Sequence, residues 1–187
     1  MHLFKTLLAA AVLIRSTNAA PFELKGETGW HGPGLYQIVN RSGGTAVDLV
    51  NGETEVGTPI YGRTLNYTDV QQIWLIARLK EGEYAFVNHA SPTAIGATGA
   101  AKPVVAKAYK FTDLSIRWNM TLLADGYVIF ESLMYPGNVL DLSYGSSKDM
   151  TPITSYPRHG QPSQQWRLDH WNPPDSELLD LPINVEL

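Results

Sequence analysis

The chain of 187 residues contains no cysteine. That excludes a disulfide framework, thiolate zinc sites and a cysteine nucleophile. It has no run of five or more Lys and Arg, and its formal net charge is −4. A nucleic-acid or anionic-membrane surface needs concentrated cations, so neither partner is expected. Apolar stretches are short. Leu7 to Ile14 runs for eight residues, far below the ~20 a membrane-spanning helix needs, and no membrane insertion is expected. Catalytic signatures are missing too: there is no Gly-x-Ser-x-Gly, no His-Glu-x-x-His and no glycine-rich phosphate loop. His31, His89, His159 and His170 are scattered without metal-ligand spacing. They read as surface or hydrogen-bonded loop residues, and neither a metal, a cofactor nor an enzyme activity is expected.

The chain is well supplied with apolar residues, at 44% against 17% charged, which is the balance of a packed domain rather than a disordered one. Gly 16, Pro 12, Tyr 9 and Trp 5 point to many turns and aromatic-rich strands. Length alone sets one domain, with room for a tail.

Residues 1–19 read as a secretory signal peptide. Lys5 gives a positive start, Leu7–Ile14 is the apolar centre, and Thr17 and Ala19 are small residues where a signal peptidase requires them. Cleavage removes Lys5 and Arg15 and no acid, so the net charge moves from −4 to −6. The product is expected outside the cell. Three Asn-x-Ser/Thr sequons accompany that route, at Asn40, Asn66 and Asn119. Asn66 lies in a polar stretch and is the best glycan acceptor. Asn119 follows a Trp in an apolar segment and is expected to be inaccessible.

Internal repetition organises the rest. Three segments open on a glycine followed by period-two alternation: Gly34 to Asn40, Gly82 to Asn88 and Gly126 to Ser132. That is the pattern of a half-buried strand entered from a turn. Each continues into a short apolar triplet, Ala46-Val47-Asp48, Ala94-Ile95-Gly96 and Val139-Leu140-Asp141. Each then passes a Pro followed by a β-branched residue and closes on Trp74, Trp118 or Trp166. The Trp-to-Trp spacings are 44 and 48 residues. A unit of that size cannot bury its own apolar face, so three units must share one core, with about twelve short strands and the three Trp inside it.

Gln72-x-Trp74 and Gln164-x-Trp166, with an Asp after the second strand of the same units, resemble the ricin-B-type β-trefoil lectins. The resemblance runs from Gly34 to about Asp169, and the middle unit departs from it with Ile116 in place of Gln. It implies an all-β, β-trefoil domain over residues 30–170, followed by an acidic, Pro-containing tail over 171–187. Relatives often carry a disulfide from a Cys two residues before the Asp; here those positions are Ala46 and Val139.

The resemblance also implies where a sugar sits. A carboxylate takes two vicinal hydroxyls through charged hydrogen bonds. An aromatic face 15 positions later covers the C–H patch of the ring. The Gln of Gln-x-Trp and the residue before it complete the pocket edge. In the third unit these are Asp141, Tyr156, Gln164 and Ser163. In the first, Asp48, Gln72 and Gln71 match, but the offset lands on Arg63, with Tyr61 two positions earlier on the same strand face. That site is expected to be weaker. In the middle unit Gly96 stands at the Asp position, and no site is expected.

The implied function is carbohydrate binding, of galactose or N-acetylgalactosamine type. The alternative is a β-trefoil proteinase inhibitor acting through exposed loops, since fold alone does not settle function. Expression in a eukaryotic secretory host checks the targeting reading. The secreted protein should begin at Ala20, and N-glycosidase should increase its gel mobility by releasing a glycan from Asn66.

Overall fold

The computed structural model describes residues 25–171. The signal segment read at residues 1–19 and residues 172–187 of the tail lie outside the described residues. Within them the chain forms fourteen strands joined by turns and one-turn 3-10 helices. The first repeat supplies β2 (Gly34–Asn40), β3 (Ala46–Leu49), β4 (Ile60–Arg63) and β5 (Ile73–Lys80). The second supplies β6 (Glu83–Asn88), β7 (Thr93–Gly96), the two-residue β8 (Lys102–Pro103), β9 (Val105–Ala108) and β10 (Trp118–Leu122). The third supplies β11 (Val128–Ser132), β12 (Asn138–Leu142), β13 (Thr151–Pro157) and β14 (Trp166–Trp171). Ahead of them β1 (Lys25–Thr28) pairs with β14, as far as Trp171, so pairing extends past the 30–170 span at both ends. Short β8 and the added β1 account for the two strands beyond the expected twelve.

The pairings close a ring. The first and last strands of the repeats form β2–β5–β6–β10–β11–β14 and return to β2, a six-stranded antiparallel barrel. Closure leaves no free edge among these six. The inner strands form three hairpins, β3–β4, β7–β9 and β12–β13. These meet one another through β4–β13, β8–β13 and the Pro59–Val105 bridge. This is the β-trefoil that the family resemblance implied.

Threefold register repeats in detail. Trp74, Trp118 and Trp166 face Tyr36, Tyr84 and Val128 on one neighbour, and Asn88, Ser132 and Asn40 on the other. All three indoles are fully buried, together with Tyr36, Ile38, Phe86, Phe130 and Leu140, in one cluster at the axis. Each indole N–H also finds an acceptor, as buried Trp requires. Trp74 Nε1 donates to the Val47 carbonyl at 2.9 Å, Trp118 to Ile95 at 3.1 Å and Trp166 to Leu140 at 3.0 Å. Barrel and hairpins are tied at those three points.

Replacing any one of these Trp residues with Ala removes a large buried side chain and orphans a carbonyl. We expect a loss of ~3–5 kcal/mol for each, which lowers the thermal midpoint by about 6–20 °C in a domain of this size. Calorimetric melting of Trp166→Ala checks this; a midpoint within 2 °C of wild type would remove the core role.

Candidate functional site

Equivalent positions in the three hairpins follow from register. Ala46, Ala94 and Val139 lie opposite Arg63, Lys107 and Tyr156. Asp48, Gly96 and Asp141 come two residues further along. Side chains two apart in a strand share a face, so the residue facing the first position leans over the second. Three repeats thus offer one scaffold with a ring, an arginine or a lysine over the key position.

In the third repeat the carboxylate stays reachable. Asp141 lies opposite Thr154 on the hairpin, with its side chain 7% exposed. It forms the floor of a cavity of about 630 Å³ whose walls include Tyr156, Ser163 and His159. The Tyr156 ring is 43% exposed. Ser163 Oγ donates to Asp141 Oδ2 at 3.3 Å, and His159 Nε2 lies 3.1 Å from the same oxygen. The His159 Nδ1 atom accepts the Gln161 backbone N–H at 3.2 Å. That places the imidazole proton on Nε2, where it donates to Asp141. Burial pushes the Asp141 carboxyl above its ordinary range, opposed by hydrogen bonds from Gln164 and Ser163 and by His159.

In the first repeat the equivalent carboxylate is sealed. The Asp48 side chain is 0% exposed, and Arg63 Nη1 stands 3.7 Å from its Oδ1. Gln72 Nε2 donates to the other oxygen at 3.2 Å. Burial raises the Asp48 carboxyl as well, against the Gln72 hydrogen bond and the Arg63 charge. Tyr61 shares the Arg63 face, half-buried opposite Asp48. The expected weaker sugar site therefore has its carboxylate buried beneath Arg63 in this structure.

The middle repeat is filled. A Cβ built on Gly96 would meet Lys107 Cγ at 2.5 Å, so the lysine stem occupies the place of the missing carboxylate.

The two glutamines lie buried behind the carboxylates. Gln164 is fully buried; its Oε1 accepts the His159 and Gly160 N–H groups and its Nε2 donates to the Pro157 carbonyl. Gln72 likewise accepts from Asn66 N and donates to Thr64 O. Each braces the loop leading into the Trp strand. Ile116, at the equivalent position of the middle repeat, is fully buried and carries no polar group for such bonds. Gln71, in the Ser163 position, uses its carbonyl to accept from Asn88 Nδ2.

The sequons separate by burial. Asn40 is 2% exposed and its amide is consumed, accepting from Ser42 N and Gly43 N and donating to Ser163 O. A glycan there does not fit the fold. Asn119 is exposed, contrary to expectation, because alternation turns it away from the Trp118 side of β10. Asn66 is exposed, and Thr68 occupies only its Oδ1, not the nitrogen that a glycan would take.

Sequence reasoning missed two residues of the third site. His159 was dismissed as a generic loop histidine. Tyr144, which also lines the cavity and is fully exposed, carries no sequence signal beyond its place in a Ser-Tyr-Gly turn.

A family model described as ricin-type beta-trefoil lectin domain-like matches residues 19–108. The closed barrel and three hairpins extend the same organisation through the third repeat. The chain folds as a β-trefoil. It is similar to the designed threefold-symmetric protein ThreeFoil, at 27% identity and TM-score 0.68, covering 72% of this chain and 97% of that one. It shares its fold with the Macrolepiota procera ricin B-like lectin solved with lactose, at 20% identity and TM-score 0.62, over 75% and 98% of the two chains. The earthworm R-type lectin C-half solved with GalNAc shares it too, at 18% identity and TM-score 0.59, over 74% and 99%. No curated protein matches the chain.

The buried carboxylates give the β-trefoil a testable pH response. Asp48 and Asp141 hold protons more tightly folded than unfolded, so their contribution favours folding below the unfolded value and fades as pH rises through the folded one. Asp149, which accepts from the Thr64 N–H and hydroxyl, and Asp113, which accepts the Ser115 N–H, are held low and lose stability only further down. Melting temperature should therefore rise on acidification through the window just above the ordinary carboxylate range. Asp48→Asn with Asp141→Asn should flatten that rise; an unchanged slope in the double variant would contradict it.

Proposed function

We propose that the chain is a secreted, non-enzymatic carbohydrate-binding protein whose working site is the third-repeat cavity. One observation carries the reading: of three equivalent hairpins, only this one pairs a reachable carboxylate with a half-exposed ring. Two hydrogen bonds hold Asp141 Oδ2 from inside the protein. The carboxylate is thereby oriented to accept from sugar hydroxyls with its remaining capacity. Tyr156 gives the apolar face on which the C–H side of a pyranose rests. Lactose and GalNAc, in the solved structures of the two lectins above, are consistent with a galactose or N-acetylgalactosamine ligand.

The lining supports binding rather than catalysis. Asp141 is the one carboxylate among the described cavity residues, whereas glycoside hydrolysis uses a pair flanking the bond. Secretion rests on the signal segment, and glycosylation on the exposed Asn66.

Affinity for immobilised galactose and N-acetylgalactosamine tests the site. Asp141→Ala removes charged hydrogen bonds worth ~1.5–3 kcal/mol, a tenfold to roughly hundredfold loss. Tyr156→Ala should weaken retention with little change in melting, because its ring is at the surface. Asp48→Ala should lower the melting temperature and leave retention unchanged. Retention by Asp141→Ala equal to wild type would overturn the assignment.

A further inference from the structure

Tyr144 is the most exposed large apolar side chain among the described residues, and it stands in an unfavourable backbone conformation. Its φ is +57°, in the left-handed region that bulky residues rarely adopt. The equivalent turn in the first repeat holds Asn51 at φ +55°, a residue type that tolerates this region. Next in the third-repeat turn, Gly145 has φ +59°, and a Cβ there would meet Ser42 Oγ at 2.3 Å. The Ser42 hydroxyl donates to the Gly145 carbonyl at 3.1 Å, tying the turn to the first repeat. The surroundings thus enforce the turn, and the ring it displays is held rather than loose.

That ring lines the same cavity as Asp141 and Tyr156, but from a different segment. An apolar ring left fully in water, on a strained backbone, is disfavoured twice in the free protein. Covering the ring relieves the first cost, while the turn pinned through Ser42 keeps the ring in place to be covered. The cavity of about 630 Å³ falls in the ~300–1,000 Å³ range of sites for drug-sized ligands, larger than one sugar ring requires.

We propose that Tyr144 is a second sugar platform, so that the third-repeat site takes an oligosaccharide, with one ring on Tyr156 and a following ring on Tyr144. This rests on the sugar reading of the Asp141 site. Titration calorimetry separates the two. The probes are methyl β-galactoside and methyl α-N-acetylgalactosaminide as single rings, and lactose and lacto-N-neotetraose as longer ones. Wild type should bind the longer probes more tightly. Tyr144→Asn, which installs the first-repeat residue, should reduce their affinity about two- to tenfold while leaving single-ring affinity and folding intact. Wild-type affinity for the longer probes in Tyr144→Asn, with single-ring binding still lost in Tyr156→Ala, would overturn the platform and spare the site. An equal loss on single rings would place Tyr144 in the primary contact and also overturn it. Failure of wild type to bind any of the four would remove the sugar reading, and the platform with it.

Discussion

Three hydrogen bonds from indole to backbone hold the structure to its plan. Each joins the strand that closes a barrel repeat to the hairpin that covers it, and each accepting carbonyl belongs to the residue just before a site position. Val47 precedes Asp48, Ile95 precedes Gly96 and Leu140 precedes Asp141. The interaction that satisfies the largest buried side chains therefore also sets the height of the hairpin over the barrel. An orphaned buried carbonyl costs ~1–3 kcal/mol, and a vacated indole volume costs more. Few other pairings are open to a strand whose Trp must reach that one acceptor.

With the scaffold fixed, a single facing residue decides each repeat. Arginine over Asp48 makes a sealed ion pair, because a carboxylate out of water needs a partner for its charge. Lysine over Gly96 fills the space with its aliphatic stem while its charged end stays free to reach solvent. Tyrosine over Asp141 covers less: the ring stands at the surface, and His159 and Ser163 satisfy only one carboxylate oxygen. Openness at the third site is thus a local consequence of which side chain sits on β13, not of a different backbone.

Much of this was legible in the sequence, for physical reasons. Period-two alternation, a repeated glycine start and Trp at near-constant spacing are direct records of strand, turn and core. The offset from Asp141 to Tyr156 came with the family resemblance; in the hairpin it sets Tyr156 opposite Val139, two residues from Asp141. In the middle repeat a loop shorter by four residues brings Lys107 to the facing position instead. Spacing does not say which way a glutamine amide turns; both turn inward to hold loop N–H groups. Asn40 carries a sequon and a turn cap in the same three letters, and only burial distinguishes them. Tyr144 was invisible because its significance lies in φ, which no residue type records.

The single open site bears on how binding strength can arise. Lectin-like repeats can gain avidity by presenting several sites to one glycan surface, since the second contact is intramolecular once the first is made. On the reading proposed above, the buried Asp48 and the Gly96 filled over by Lys107 leave one copy of this chain a single open site. What remains is contact area at the third hairpin, on elements already rigid: a paired strand for Asp141, a second for Tyr156, and a turn pinned through Ser42 for Tyr144. Rigid contacts lose little conformational freedom on binding, so each added platform contributes with a small ordering cost. A chain with one open site strengthens binding by lengthening that site, and the turn after β12 is where this one extends.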